Sequence, residues 1–362
     1  MKKTFIILIL LLLALSGCKA QPAYIDGFAV VYTDQSFYLI DLEGNTFSLA
    51  QYDDVVGEMG DYLVVRKGSK FGYIKHTGEE IVFPIYDMAM PFSEGLAVVQ
   101  KNQQFQVINT LGEVLFDLPH GVESYSIYTD GLLVSSLNHQ FGYIDTNGDI
   151  AIDFEYDDAA SFSEGKAAVG LFNEGVLKYA YIELPNEPLT DFIYLSAGNF
   201  TNGYARVAVS KNSNDNYLYG FINEFGDLVV PFTYEYALDF QDGLSVVANY
   251  ITKVGGRYSY TFKDYRYIDE TGAVIINPNN TFVGIFYGNF MPGTFENGVS
   301  RYFFNSWGVY DKDLEQIVRP KYMEMTDFKN GYAVVRTYPN NYGIINQSGD
   351  VIVPLEYRKI VY

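Results

Sequence analysis

Short apolar segments alternate with polar turns along most of the chain. Residues 96–99 are apolar, Gln103 and Gln104 interrupt the pattern, and apolar segments follow at residues 105–109 and 114–116. Segments of this length between polar turns are typical of β-strands joined by tight hairpins. No segment keeps a helical period over the length of a helix. The pattern therefore predicts an all-β protein built from antiparallel hairpins.

The hairpin pattern is repeated. Residues 71–74 and 141–144 both read Phe-Gly-Tyr-Ile, and after each follow a Val/Ile-rich strand, a Tyr-Asp pair and a Phe-Ser-Glu-Gly turn. The chain holds about nine copies at a period of roughly 34 to 46 residues, which is typical of repeat architectures. Five copies open at Phe71, Phe141, Tyr219, Trp307 and Tyr342, and degenerate ones open at Phe37, Phe105, Tyr179 and Tyr265. The aromatic side chains that recur once per copy, such as Tyr73, Tyr143 and Phe221, are predicted to pack between neighbouring units.

Several predicted hairpin loops share one design, in which Gly follows an Asp or Asn by three places. They are residues 41–44, 145–148, 269–272 and 346–349. The Asp or Asn side chain can bond to the turn backbone, and Gly can adopt the left-handed conformation that closes the loop. A calcium loop would need about six or more oxygen ligands and a distal bidentate Glu. Asp145, Asn147 and Asp149 are therefore interpreted as turn residues.

Two assemblies fit this array. Residues 28–31 resemble the last strand of a unit, and such a strand would be next in order after Tyr357. If the amino-terminal strand completes the carboxy-terminal unit, by pairing with residues 351–353 or a neighbouring strand, the array closes as a β-propeller without free edges. If whole units simply stack, the array is an open β-solenoid or superhelix.

These units resemble the WG-repeat (KWG-like) family of bacterial proteins. The shared features are an aromatic-Gly-Tyr-Ile segment, an Asp-x-x-Gly turn, a Val-Ile-Val-Pro-like strand, a Tyr-Asp pair and a Phe-x-x-Gly-x-Ala-Val-Val segment. Trp307-Gly308 is the one copy with the eponymous dipeptide, and Gln106, Ala180 and Arg266 replace the glycine elsewhere. The resemblance implies a β-repeat array with no shared catalytic residues and no common activity.

The amino terminus has the three parts of a secretion signal. Lys2 and Lys3 precede an apolar run at residues 5–15, and Ser16-Gly17-Cys18 follows. The run is too short for a transmembrane helix, and its end resembles a bacterial lipobox, in which the cysteine is acylated. We therefore expect a signal peptide at 1–17, a lipidated tether at 18–23 and the repeat array at 24–362. Lys19, in place of Asp, resembles the sorting signal for the outer membrane in cells with two membranes.

Composition narrows the choice of partners. The chain has 24 Lys+Arg against 44 Asp+Glu and a formal net charge of −20. Such a chain repels phosphate backbones and anionic lipid headgroups. We expect no nucleic acid partner, and association with the membrane only through the lipid on Cys18.

No motif for catalysis or for a cofactor stands out. His76, His120 and His139 fall in different copies at no metal-ligand spacing, so each is interpreted as a turn or strand-end residue, and no metal is expected. The sequence lacks a nucleophile elbow, a phosphate loop and a dinucleotide fingerprint, so no cofactor is expected. Repetition of the Tyr-Asp pair indicates that Asp87 and Asp157 are connection residues and not the carboxylates of a glycosidase.

Aromatic residues where the repeat is broken are the candidate binding surface. They are Tyr258, Tyr260, Phe282, Phe286, Tyr287, Phe290 and Phe295. Aromatic side chains give large contact area at small entropic cost, although local packing of a longer loop is the alternative. The leading hypothesis is a non-enzymatic, extracytoplasmic binding or scaffold lipoprotein that recognises a protein or a surface glycan. The competing hypothesis is a hydrolase of cell-wall or imported carbohydrate, which one copy with two carboxylates in a pocket would favour.

Overall fold

The structure is a computed structural model that describes residues 28–34, 36–41, 43–210, 217–250, 262–277 and 290–361. Over these ranges the chain forms strands and no helix, and thus none long and apolar enough to cross a bilayer. The strands form nine antiparallel sheets, each of which is one blade of a β-propeller. The predictions of an all-β fold and of about nine units are confirmed.

The blades are numbered from the amino terminus. The strands of blades 1 to 3 are β1 (Phe28–Tyr32), β2 (Phe37–Asp41), β3 (Thr46–Ser48); β4 (Asp54–Met59), β5 (Tyr62–Lys67), β6 (Lys70–Lys75), β7 (Glu80–Tyr86); β8 (Met88–Ala89), β9 (Leu96–Lys101), β10 (Gln104–Asn109) and β11 (Val114–Asp117). Those of blades 4 to 6 are β12 (Leu132–Leu137), β13 (Gln140–Asp145), β14 (Ile150–Tyr156); β15 (Asp158–Ala159), β16 (Lys166–Asn173), β17 (Val176–Glu183), β18 (Glu187–Pro188); β19 (Ser196–Ala197), β20 (Tyr204–Ser210), β21 (Tyr217–Asn223) and β22 (Leu228–Tyr234). Those of blades 7 to 9 are β23 (Tyr236–Ala237), β24 (Ser245–Tyr250), β25 (Phe262–Ile268), β26 (Val274–Ile276); β27 (Phe290–Glu296), β28 (Val299–Phe304), β29 (Trp307–Asp311), β30 (Gln316–Tyr322); β31 (Glu324–Met325), β32 (Tyr332–Thr337), β33 (Asn341–Asn346) and β34 (Val351–Tyr357). The last strand, β35 (Lys359–Val361), belongs to blade 1.

The ring closes through strands from both ends of the described chain. β35 pairs antiparallel with β1, with Val31 opposite Ile360. Ile360 also packs in one apolar cluster with Val31 of blade 1 and Val353 of blade 9. The closed propeller is therefore confirmed and the open solenoid is excluded. The expected direction of closure is wrong, because the carboxy-terminal strand completes blade 1, while residues 351–353 pair with β33.

Four strands fit into all but one of these short units, blade 4 having three, because the first strand is very short in most blades. β8 (Met88–Ala89), β15 (Asp158–Ala159) and β23 (Tyr236–Ala237) contain two residues each. These strands follow directly on the last strand of the preceding blade, at the repeated Tyr-Asp pair or its equivalent. A strand of two residues has no detectable period, so the sequence pattern does not predict it.

The core lies between the blades, where the repeated aromatic side chains meet. The rings of Tyr73 and Phe92, from blades 2 and 3, have centroids 4.6 Å apart, and the Tyr73 hydroxyl donates a hydrogen bond to the carbonyl of Met90 at 2.7 Å. Equivalent ring pairs join blades 4 and 5 and blades 6 and 7, namely Tyr143 with Phe162 and Phe221 with Phe240. The prediction that these aromatic residues pack between units is confirmed.

The length of the fourth strand depends on whether a glycine comes after the aromatic residue that opens the repeat. Where the glycine is present, the fourth strand (β7, β14, β22, β30 or β34, the last strand of blade 4 included) has 7 residues. Where Tyr38, Gln106, Ala180 or Arg266 replaces it, the fourth strand has 2 to 4 residues. A Cβ atom on Gly142 would lie 2.6 Å from the carbonyl oxygen of Ile152. Glycine therefore lets the bulged last strand approach the third strand over its whole length.

Gly142→Ala is expected to lower the free energy of unfolding by about 2 kcal/mol, because the new methyl group would displace the backbone of β14. Ala180→Gly is the matched control, since Ala180 has the same place in a blade with a short fourth strand, and it should cost less than about 1 kcal/mol. Denaturant unfolding of both variants measures the difference. Equal midpoints for Gly142→Ala and the parent would contradict the close approach.

Candidate functional site

The loops of the propeller lie on two opposite faces. Hydrogen bonds between loops show which of them lie on the same face. The hairpin between the second and third strands lies beside the connection that enters the same blade. The Asp87 carboxylate accepts a hydrogen bond from the backbone N–H of Asn102 at 2.8 Å, and Asp157 accepts one from Phe172 at 2.7 Å. We call this side the hairpin face. Asp87 and Asp157 are connection residues, as predicted.

The other face carries the turns between first and second strands and those between third and fourth strands. The Tyr128 hydroxyl, beside the turn that leads into β12, donates to the carbonyl of Asp145 at 3.2 Å. The Asp145 carboxylate accepts hydrogen bonds from the backbone N–H groups of Asn147 and Asp149, and Gly148 has a φ of 91°. The turn interpretation of these residues is therefore confirmed.

Acidic residues in or beside the first turn of a blade connect it to the next blade. In each such pair a carboxylate accepts a hydrogen bond from the backbone N–H of a glycine in the following blade. The pairs are Glu94 with Gly131, Asp130 with Gly165, Glu164 with Gly203, Asp242 with Gly298, and Glu296 with Gly331. These carboxylates are engaged in holding the ring together, which gives the acidic turns a structural role.

The three histidines are dispersed, in keeping with the sequence interpretation. His76 stacks on Phe28 with ring centroids 4.5 Å apart, whereas His120 and His139 are exposed. Among the residues that the structure describes, no group of three or more His, Cys, Asp or Glu side chains is arranged to hold a metal ion.

Most of the predicted aromatic surface lies outside the described residues. The residues outside the described ranges are Tyr258, Tyr260, Phe282, Phe286 and Tyr287. The predicted lipidation site, Cys18, also lies outside them. Phe290 opens β27, where its backbone pairs with Phe304. Phe295 is fully buried and packs against Tyr267, with ring centroids 4.8 Å apart. The expectation that Phe295 belongs to a binding surface is wrong, because it is the inter-blade aromatic residue of blade 8.

Two blades depart from the repeat in their second strand. One position there holds Arg206 in blade 6 and Arg301 in blade 8. The equivalent residues of the other blades are Val30, Val64, Val98, Val134, Ala168, Val246 and Val334. Each arginine is bound by an aspartate of the next blade: Arg206 Nε donates to Asp239 at 2.9 Å, and Arg301 Nη2 donates to Asp327 at 2.7 Å. Each aspartate stands in the blade that follows an arginine, because a charged side chain at a core position must be paired.

A glycine in the first strand, or directly after it, lies beside each arginine. A Cβ atom on Gly293 would lie 2.8 Å from Cγ of Arg301 and 3.0 Å from a carboxylate oxygen of Asp327. Gly198 has the same place beside Arg206. The equivalent residues in other blades include Met90, Ala160, Leu238 and Thr326, while blade 2 has Gly57 beside Val64. Arginine and aspartate thus change together in two copies of the repeat, and the glycine that accommodates them also occurs once beside a valine.

Blades 8 and 9 border an open pocket of about 470 Å³ beside one of these ion pairs. Its polar lining consists of Arg301, Glu324, Thr326, Asp327, Arg336 and Tyr342, and we call it the arginine pocket. Arg336 forms a second ion pair with Glu324, and the Tyr342 hydroxyl donates to Glu324 at 3.0 Å. Arg301 also donates a hydrogen bond to the carbonyl of Met325. The pocket therefore contains two guanidinium groups and two carboxylates, joined in pairs.

Aromatic rings flank both ion pairs. The Arg301 guanidinium lies 4.5 Å from the ring centroid of Trp307, and that of Arg336 lies 5.8 Å from the centroid of Tyr342. Arg336 Nη1 donates to the Asn340 side chain at 2.7 Å, which connects the pocket to the hairpin of blade 9. Tyr338 in this hairpin has 82% of its surface exposed. The arginine pocket thus adjoins an exposed aromatic residue on the hairpin face.

The carboxylates of the arginine pocket are more accessible than its arginines. The side chains of Glu324 and Asp327 are 54% and 50% exposed, against 15% for Arg336 and 23% for Arg301. The hydrogen bond from Arg336 lowers the pKa of Glu324, so this carboxylate remains ionised at neutral pH. A glycosidase acid needs a raised pKa. Two carboxylates in one pocket meet the expectation set for a hydrolase, whereas the lowered pKa of Glu324 is the opposite of what a proton donor needs.

The sequence reasoning missed all of these pocket residues. Aligning the copies position by position would have singled out Arg206 and Arg301, because arginine stands there where the sister copies have valine or alanine. Glu324 and Arg336 carry no such signal, since Asp54 and Arg66 have the same places in blade 2.

Five segments of the chain match the sequence model of a repeat described as WG containing repeat. They are residues 71–105, 141–171, 219–249, 307–338 and 342–362. These are the copies that keep the glycine after the aromatic residue, and the predicted resemblance is confirmed for them. Each match begins in the third strand of one blade and runs into the next blade. No curated protein matches the chain.

Solved structures share the architecture at low sequence identity. A crystal structure of the eukaryotic initiation factor is 12% identical, covers 94% of this chain and 98% of its own, and has a TM-score of 0.59. The computationally designed Ika8 protein is 11% identical over 91% of this chain and 98% of its own, with a TM-score of 0.44. BamB from Moraxella catarrhalis is 10% identical over 82% and 94%, with a TM-score of 0.42. The first likeness supports the propeller fold alone.

Proposed function

We propose that this propeller with WG repeats is a non-enzymatic binding or scaffold lipoprotein, tethered outside the cytoplasm, that recognises a protein or a surface glycan through its hairpin face. The arginine pocket carries the proposal. A pocket with a few convergent polar groups on a rigid scaffold is the usual form of a ligand site. Arg301 and Asp327 depart together from the repeat, although a valine or an alanine at the arginine position suffices to build seven of the nine blades.

The location follows from the sequence at the amino terminus. The segment ending at Cys18 resembles a lipobox, and acylation there would tether the ring to a membrane of the cell envelope. Lys19 favours the outer membrane in a cell that has two. The net charge of −20 disfavours nucleic acid as a partner. We therefore expect the ligand among envelope proteins or glycans, and we expect neither a cofactor nor a metal to be needed.

A binding role is favoured over hydrolysis by the ionic state of the pocket. Hydrolysis of a glycosidic bond needs one carboxyl group that can donate a proton. Glu324 bonds to Arg336 and Tyr342, and Asp327 bonds to Arg301, so both are placed to accept hydrogen bonds. Binding groups of this kind hold a ligand without breaking it.

The test is capture of a partner from intact cells by the purified mature protein on beads. The double variant Glu324→Gln/Tyr338→Ser is expected to retain at least about tenfold less partner, equivalent to about 1.4 kcal/mol of binding free energy. Asp239→Asn/Phe172→Ser is the matched control. It makes the same kinds of change at the second Arg–Asp pair and at another exposed aromatic residue of the hairpin face, and its capture should stay within about twofold of the parent.

Two results would contradict the proposed function. One is that the parent retains nothing beyond blank beads. The other is that incubation with cell-wall or envelope carbohydrate releases reducing ends over time, which would favour the hydrolase.

A further inference from the structure

The balance of charge in the arginine pocket restricts its ligand. Two guanidinium groups are paired with two carboxylates, so the site is neutral within a chain of net charge −20. An anion would meet the accessible carboxylates first and would approach against the field of the whole protein. A cation would meet carboxylates whose charge Arg301 and Arg336 already compensate. The pocket therefore favours a neutral ligand that is rich in hydrogen-bonding groups.

The exposed carboxylate oxygens of the pocket require a ligand whose polar groups donate hydrogen bonds. Glu324 and Asp327 have about half of their side-chain surface exposed and can accept further hydrogen bonds, whereas the arginines are mostly covered. A carboxylate bonded to a charged donor is a strong acceptor, and a ligand hydroxyl bonded to it gains a charge-assisted hydrogen bond. Hydroxyl groups are thus the best match for the opening of the pocket.

Apart from Thr326, the rest of the wall is apolar or aromatic. Tyr342, Met325, Val334 and Val335 line the pocket, and the bond from Tyr342 to Glu324 fixes the phenol ring in place. A sugar ring has hydroxyl groups at its edge and C–H groups on its faces, so it can bond to the carboxylates and pack on the aromatic ring at once. The volume of about 470 Å³ lies within the range of small-molecule pockets and leaves room for a short oligosaccharide.

We propose that the arginine pocket binds a neutral sugar unit of an envelope glycan, with Glu324 and Asp327 accepting hydrogen bonds from its hydroxyls and Tyr342 packing on its face. This inference rests on the proposed binding function and specifies its ligand class. The related pair Arg206–Asp239 lacks the same surroundings, because Tyr236 and Ala248 stand where blade 9 has Glu324 and Arg336. That pair is an internal control within the same molecule.

Titration calorimetry of the full mature protein tests the inference with four named probes. Chitotetraose, cellotetraose and maltotetraose are neutral, and tetragalacturonate is anionic. At least one neutral probe should bind, tetragalacturonate should not, and Glu324→Gln should weaken binding at least tenfold at an unchanged melting temperature. Asp239→Asn should change the affinity by less than twofold.

The inference is overturned if none of the neutral probes binds below millimolar concentrations, if tetragalacturonate binds instead, or if Glu324→Gln binds as the parent does. The capture experiment distinguishes failure of the sugar proposal from failure of the proposed binding function. Partner capture that depends on Glu324 and Tyr338, without binding of any neutral probe, would refute the sugar ligand and leave the binding function standing.

Discussion

Removal of residues 358–362 is expected to open the ring and to lower the free energy of unfolding by about 3 to 5 kcal/mol. The deletion removes β35, whose Ile360 packs with Val31 and Val353 at the closing joint. It also leaves β1 with an unpaired edge, which is a template for association with another chain. Calorimetry should show the midpoint of thermal unfolding falling by roughly 10 °C, and light scattering should show oligomers that grow with concentration.

Two controls assign this effect to closure of the ring. Lys359→Ala alters an exposed residue of the same strand and should cost less than about 0.5 kcal/mol. In a Cys18→Ser background, cysteines at Tyr32 and Lys359, which are opposite in the β1–β35 register, should form a disulfide. Cysteines at Tyr32 and Val351 should remain reduced. A truncated protein that unfolds like the parent, with no crosslink in the first pair, would show that the ring is open in solution.

Cys18→Ser is expected to abolish labelling by a radioactive fatty acid and to prevent maturation at that position. A thiol accepts the diacylglyceryl group and a hydroxyl does not. Residues 1–17 should therefore stay on the chain. Metabolic labelling and the mass of the product measure both effects. Lys19→Ala should keep the label, and label retained in Cys18→Ser would refute lipidation at this residue.

The fold could be predicted from the sequence because each copy repeats the same local signals. The Asp-x-x-Gly turns and the glycine after the opening aromatic residue fix the third and fourth strands, and those elements appear as expected. The first strand and the closing strand could not be predicted in the same way. β8 contains two residues, and β35 is identified as a strand of blade 1 by its contact with β1, which lies at the other end of the chain.

The residues of the arginine pocket could not be predicted from the broken repeats alone. Length and aromatic content favoured the segment around Phe295, which is a core residue. The informative breaks are single substitutions, such as Arg301 in place of valine. Their meaning depends on Asp327 in the next blade and on Gly293 in the strand before, and the ring brings these three together.

The offset between sequence repeats and blades bears on how such a ring can evolve. The matched segment 71–105 contains both Tyr73 and Phe92, so one copied stretch of sequence carries the joint between two blades and not a single blade. A tandem duplication would therefore insert a blade with its interface already formed, while β1 and β35 still meet at the seam. One genetic event can therefore change the number of blades in the ring. The angle between neighbouring blades then becomes slightly smaller at every joint.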